Sequence, residues 1–375
     1  MNEADAAAAM SEAATTVVWG AFALAFVFGF VAQRANFCTM GAVSDIVNMG
    51  DWTRMRVWMT AIGVAILGAN SLAYTGLIDL SKSIYLSANF NWLSSIAGGI
   101  CFGFGMTLAS GCGSKTLLRI GGGSLKSVVV FLVLGVAAYM TLKGLFGVWR
   151  VNLLDPVRVT LAGTQDLPSL LARASGVDKK VLQIALALLL GGGLLVFAFK
   201  PREFRNANNI MSGIVLGLVI TGGWYLSGRI GYIAEDPKTL EEAFIATNSG
   251  RMESLSYVAP IAYTIEWLMF FSDKSRVVSF GIASVFGLIL GSLVYSVATR
   301  TFRWEGFRDA EDTANHLIGG VLMGFGGVTA LGCTVGQGLT GVSTLALGSF
   351  VALAAIIAGS WAAFEYQIWR VENSA

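Results

Sequence analysis

The sequence is short of charge. Of its 375 residues only 13% are Asp, Glu, Lys or Arg, against roughly 25% in soluble domains, which excludes an ordinary soluble enzyme. It holds one histidine, His316, and four cysteines without a CxxC pair. Neither a zinc site nor a disulfide scaffold is suggested, and no metal or cofactor is expected. A net charge of +2 is too small to suggest nucleic acid. The first sixteen residues lack a basic stretch and carry Glu3, Asp5 and Glu12, so we expect no cleavable signal peptide and a first helix that is its own insertion signal.

Apolar length is what the chain has instead. Hydrophobic residues make up 55%, and runs able to cross a hydrocarbon core, which takes roughly 20 helical residues, recur at 17–33, 57–77, 125–147, 181–198, 210–227, 277–299 and 346–368. The fold class is an all-α polytopic membrane protein, a bundle of about seven to nine transmembrane helices in a lipid bilayer. Loops 33–56 (Arg34, Arg54, Arg56) and 148–180 (Arg150, Arg158, Arg173, Lys179, Lys180) are the richest in basic residues. If 94–124 does not cross, both lie on one side; we place them in the cytoplasm and the N-terminus in the periplasm.

The region 94–124 is too long for one span and is broken by glycines, and so is 316–345. Each reads as two half-helices, meeting near Cys112 and Cys333. Unpaired backbone at membrane depth costs several kcal/mol per group unless protein or a polar cavity satisfies it, so each break should be buried or line a path. The two segments align without a gap at an offset of 221 residues: Gly98, Gly99, Gly103, Phe104, Gly105, Gly111 and Cys112 fall on Gly319, Gly320, Gly324, Phe325, Gly326, Gly332 and Cys333. A weaker echo sets V-F-G-F-V (27–31) on V-L-G-L-V (215–219), with no cysteine opposite Cys38. We therefore expect one transmembrane domain of two pseudo-repeats, about 17–147 and 210–368, joined by a linker and helix at 148–200. The short run 257–272, with Pro260 and Glu266, decides their relation: inverted if it spans, parallel if it does not. Segments 148–180 and 228–256 read as surface loops.

A cysteine in an apolar helix is ordinarily a small buried hydrophobe. Repetition at matched positions inside glycine breaks favours function for Cys112 and Cys333, and Gly111, Gly113, Gly332 and Gly336 are the expected helix-break glycines. The residues after each thiol, Ser114, Lys115 and Gln337 among them, open the second half-helices. They add donors where helix N-termini already favour anions. Lys115 is either an anion ligand or a headgroup residue. Arg34, near Cys38, is either a ligand or a snorkelling topology marker. Cys101, opposite Leu322, reads as packing. Glu266 and Glu365 read as interfacial or paired, and His316 as a capping or interfacial residue. The sequence G-x-x-x-x-G-K-[ST] is not matched, which speaks against a nucleotide site.

R-A-N-F-C (34–38), G-F-G-M-T-L-A-S-G-C-G (103–113) and G-F-G-G-V-T-A-L-G-C-T-V-G-Q-G-L (324–339) together resemble the YeeE/YedE family of bacterial inner-membrane proteins, whose characterised members take up thiosulfate. The resemblance runs from about residue 17 to 368. It implies a compact bundle with short helices dipping in from both faces and three thiols, by motif match Cys38, Cys112 and Cys333, along a central path. It further implies that thiosulfate is passed between thiols by S–H···S and S–H···O contacts, with cytosolic sulfur carriers of the TusA type as partners. Neutral thiols suit the task, since a thiolate repels a dianion and conduction needs sites weak enough to leave. The substrate stays open between thiosulfate and another sulfur or selenium species, as does energy coupling. A membrane thiol oxidoreductase is the alternative class, but it would carry a closely spaced reactive pair, which these thiols do not form.

Overall fold

The computed structural model describes residues 3–201, 204–236 and 240–374, the side chains of residues 3–9 and 374 excepted. Glu3 and Asp5, invoked above, lie outside the described side chains. In chain order the helices are α1 (Glu3–Arg34), α2 (Thr39–Met49), α3 (Thr53–Tyr74), α4 (Trp92–Leu108), α5 (Gly113–Gly121), α6 (Leu125–Lys143), α7 (Leu145–Trp149), α8 (Leu167–Ser175), α9 (Lys179–Leu186), α10 (Gly193–Phe199), α11 (Ala207–Tyr225), α12 (Ala259–Met269), α13 (Phe280–Ala298), α14 (Ala310–Thr329) and α15 (Leu347–Ser374). Among the described residues the strands are two antiparallel two-residue pairs: β1 (Asn89–Phe90) with β2 (Val159–Thr160), and β3 (Tyr232–Ile233) with β4 (Ala243–Phe244). Among the described residues, eight helical segments are long and apolar enough to cross a membrane. The chain is thus an all-α polytopic membrane protein.

Neighbouring side chains fix the helix directions. Phe30 of α1 meets Tyr295 of α13, and four residues earlier Phe26 lies beside Gly291, so these helices run parallel. Glycine positions on α4 face Ala330 and Gly326 at Gly98 but Gly319 and Met323 at Gly105, so α4 and α14 are antiparallel. Along α15 the order is the same as along α4: Gly99 meets Ala355, and Thr107 meets Ser360 across a 2.8 Å hydroxyl contact. These seams need glycine because backbones touch. A Cβ on Gly98 would stand 2.6 Å from the Ala330 nitrogen, and one on Gly103 would overlap the Ile356 carbonyl. In lipid such close packing holds helices together where no hydrophobic force does.

Two faces follow. The start of α4 and the end of α6 share the face on which α1 begins, where β1 pairs with β2 and Ser94 donates to Asp155 at 2.9 Å. The end of α5 shares the opposite face with the ends of α1 and α13, where Arg303 N–H reaches the Gly122 carbonyl at 3.1 Å and Gln33 reaches Ser296 at 3.3 Å. The pair α4–α5 therefore crosses completely.

Three expectations are corrected, the first two by that crossing. Loops 33–56 and 148–180 lie on opposite faces, so the argument that put both in the cytoplasm loses its premise. The extra crossing makes α4 and α14 antiparallel although α12, eleven residues long, does not span. Segment 228–256 is not all surface loop, since Met252, Ser254 and Leu255 are buried. From there residues 252–258 dip into the bundle, and α12 returns outward. Its Glu266 is buried and paired with Arg276 (3.0 Å) and Lys143 (3.3 Å). Elsewhere, Glu365 accepts from Trp361 at 3.1 Å, and buried His316 meets Asp312 at 3.0 Å near the start of α14.

Candidate functional site

One backbone device places all three thiols. Helices α1, α4 and α14 each end on a left-handed residue: Asn36 (φ 49°), Ser110 (φ 56°) and Leu331 (φ 59°). In each case the N–H of the following residue bonds five residues back, Phe37 to Ala32, Gly111 to Met106 and Gly332 to Gly327, at 2.7–2.8 Å. This double-capped ending satisfies carbonyls that water cannot reach. The thiol comes two residues after the left-handed residue each time, at the start of the next helical piece. The break is thus made by Ser110 and Leu331, which corrects the expectation that glycine makes it. Holding a non-glycine residue there costs about 1–2 kcal/mol. Gly111 and Gly332 provide room instead, since a Cβ would press on Lys115 (3.0 Å) or on the Gln337 nitrogen (3.2 Å). Gly113 faces the Tyr257 carbonyl, and Gly336 faces Ser256 and Tyr85.

All three thiols are buried and free. Cys38 accepts from the Gly41 N–H and Cys333 from the Gly336 N–H, both at 3.4 Å, while Cys112 meets the Ser114 hydroxyl at 3.2 Å. Cys112 lies within electrostatic range of both others, which makes it the middle of the three. At the start of α12 Val258 occupies the N-cap position, without a left-handed residue before it, and the preceding Tyr257 turns its backbone toward Cys333. Cys101 sits half-buried on α4 with burial alone acting on it, consistent with packing.

Lys115 does not sit among headgroups. It is buried, donates to Asn36 Oδ1 at 2.7 Å and lies within electrostatic range of Cys38 and Cys112. Among the described residues no ion pair includes it. A buried ammonium without a carboxylate is costly and attracts an anion. Arg34, by contrast, is exposed at the end of α1 and falls to its topology-marker reading. Gln337 is buried, but its amide donates to the Ala330 carbonyl, so that donor closes the end of α14.

From the face where α1 begins, a mostly apolar cavity of about 180 Å³ reaches the second break, lined by Leu142, Phe280, Leu331 and Gly332 with Glu253 and Ser256 among its polar groups. Burial pushes the Glu253 carboxyl up to about 7, while Ser249 donates to it at 3.1 Å. Sequence reasoning missed Glu253, Tyr85 and Tyr257. Setting α12 on α2 at an offset of 220 would have put Tyr257 on Phe37 beside Cys38; for Tyr85, in a loop, no pattern pointed to it.

Helices broken at depth, three buried thiols, two of them beside an unpaired ammonium, and a cavity reaching the second break define a membrane transport protein. The chain matches the sulphur transport family over residues 34–362 and belongs to it; it is a transporter, not an enzyme. It is 27% identical to the thiosulfate transporter TsuA of Escherichia coli strain K12, over 89% of this chain and 90% of that protein. To the thiosulfate transporter TsuA of Spirochaeta thermophila it is 25% identical, over 92% of this chain and 97% of that one.

Proposed function

We propose that the protein takes up thiosulfate across a bacterial inner membrane along a path formed by Cys333, Cys112 and Cys38. The observation that carries this reading is the middle position of Cys112, within range of both other thiols and of the unpaired Lys115 ammonium. A dianion leaving water needs partial positive charge at each stage, and the N-termini of α2 and α5 supply it beside Cys38 and Cys112. Neutral thiols touch its soft sulfur without holding it. The relatives named thiosulfate transporters support the substrate.

The two halves, 17–147 and 210–368, are related in this reading by inverted pseudo-symmetry, with 148–200 as the link. The linkers on the face where α1 ends are short and basic, with Arg54 and Arg56, Arg119 and Lys126, and Arg300, Arg303 and Arg308. By the positive-inside rule that face is cytoplasmic and the N-terminus periplasmic. A TusA-type carrier receives the anion there.

In cells given thiosulfate as sole sulfur source, Cys112→Ala and Cys333→Ala each abolish growth with the protein still in the membrane. Normal growth of either variant overturns the path. Parallel uptake of sulfate and selenium oxyanions into vesicles sets the substrate range.

A further inference from the structure

The surroundings of Cys333 contain polar groups that the path as described does not use. Tyr85, Tyr257 and Thr334 are almost fully buried, at 3%, 0% and 0% exposure, and among the described residues none of their hydroxyls has a hydrogen-bond partner. Buried hydroxyls are ordinarily paired. Here two unpaired phenols lie by one thiol, and a third unpaired hydroxyl belongs to the residue that follows it. Thr334 follows Cys333 directly, and both tyrosines lie within its electrostatic range. The Tyr257 backbone N–H is turned to the sulfur, and the Tyr85 hydroxyl stands 3.5 Å from where a Cβ on Gly336 would be. The rings are held rigidly, Tyr85 edge-on to Trp224 at 6.3 Å and Tyr257 against Phe28 at 6.1 Å.

We infer that Tyr85, Tyr257 and Thr334 form an uncharged oxyanion cradle at Cys333, their hydroxyls donating to the oxygens of the sulfur anion while the thiol meets its terminal sulfur. The inference rests on the reading that Cys333 lies on the anion path. A phenol or alcohol is a donor of fixed charge zero, so the cradle recognises oxygens without the deep well that an ammonium makes, and the anion can move on. Gly336 leaves the space open, since a side chain there would strike Ser256 and approach the Tyr85 hydroxyl.

The test uses the full chain, purified and reconstituted, with thiosulfate as probe. Tyr85→Phe and Tyr257→Phe each raise KM for uptake about tenfold, the lower range for a hydrogen bond to a charged group, and shrink the rise in Tm that thiosulfate produces. Without thiosulfate their Tm holds or increases, because each substitution removes an unpaired buried hydroxyl. A lowered ligand-free Tm with unchanged KM assigns the hydroxyls to packing and overturns the cradle. Should either Phe variant fail to fold, Thr334→Val carries the same comparison. Cys333→Ala separates the two failures: normal uptake by that variant overturns the path itself, whereas lost uptake beside unchanged KM in the Tyr variants overturns the cradle alone.

Discussion

The breaks at Cys112 and Cys333 have the same backbone and opposite chemistry. Ser110 and Leu331 take the same left-handed turn, and Gly111 and Gly332 make the same return bond. Three residues after Cys112, however, stands Lys115, buried without an acid partner; three after Cys333 stands Gly336, beneath the Tyr85 hydroxyl. Cys38 belongs with the first, through Asn36 on Lys115. In the proposed path a shared scaffold thus carries one charged stage and one neutral stage. The neutral stage of the proposed path adjoins the cavity at the second break. The charged stage of that proposed path is the Lys115 ammonium beside Asn36, Cys38 and Cys112.

The comparison breaks most completely if the scaffold is removed. Gly103→Leu drives a branched side chain into the Ile356 carbonyl and the Ser360 nitrogen. Overpacking of this kind costs typically 1–3 kcal/mol or more, so folded protein recovered from membranes falls about tenfold or further, read by size-exclusion profile and Tm. Next, Lys115→Met removes the charged stage alone. We expect KM for thiosulfate to rise roughly 10- to 100-fold, the worth of a charge-assisted hydrogen bond, while Tm in its absence rises because an unpaired buried ammonium is gone.

The cavity gives a smaller, pH-dependent effect. Glu253 has its carboxyl raised to about 7 by burial, so below that pH it is neutral and above it carries a negative charge facing the incoming anion. Uptake into proteoliposomes should therefore fall by roughly tenfold as the cavity-side pH rises from about 6 to 8. Glu253→Gln should flatten that profile at its acidic level. At the bottom of the scale, Arg34→Gln and Cys101→Ala should leave uptake within about twofold of the wild type and stability within about 0.5 kcal/mol.

The sequence made the bundle legible because a bilayer demands long apolar helices, and it made the breaks legible because the two copies share glycines and a thiol. Direction was not legible. Whether α4–α5 crosses depends on how two half-helices stack end to end, and no local pattern records that; one misjudged crossing misplaced a loop and left the repeat relation open. Cys112, Cys333 and Lys115 stood out by position within the repeat. Tyr257 and Tyr85 did not, because their relation to Cys333 is made by a dipping segment and a loop that come together only in the folded chain.

The central claim is that the anion passes by Cys112. The direct measurement is flux of labelled thiosulfate into proteoliposomes by Cys112→Ala, with its Tm and oligomeric profile matched to the wild type. Background flux is what the account requires; flux at the wild-type rate contradicts it.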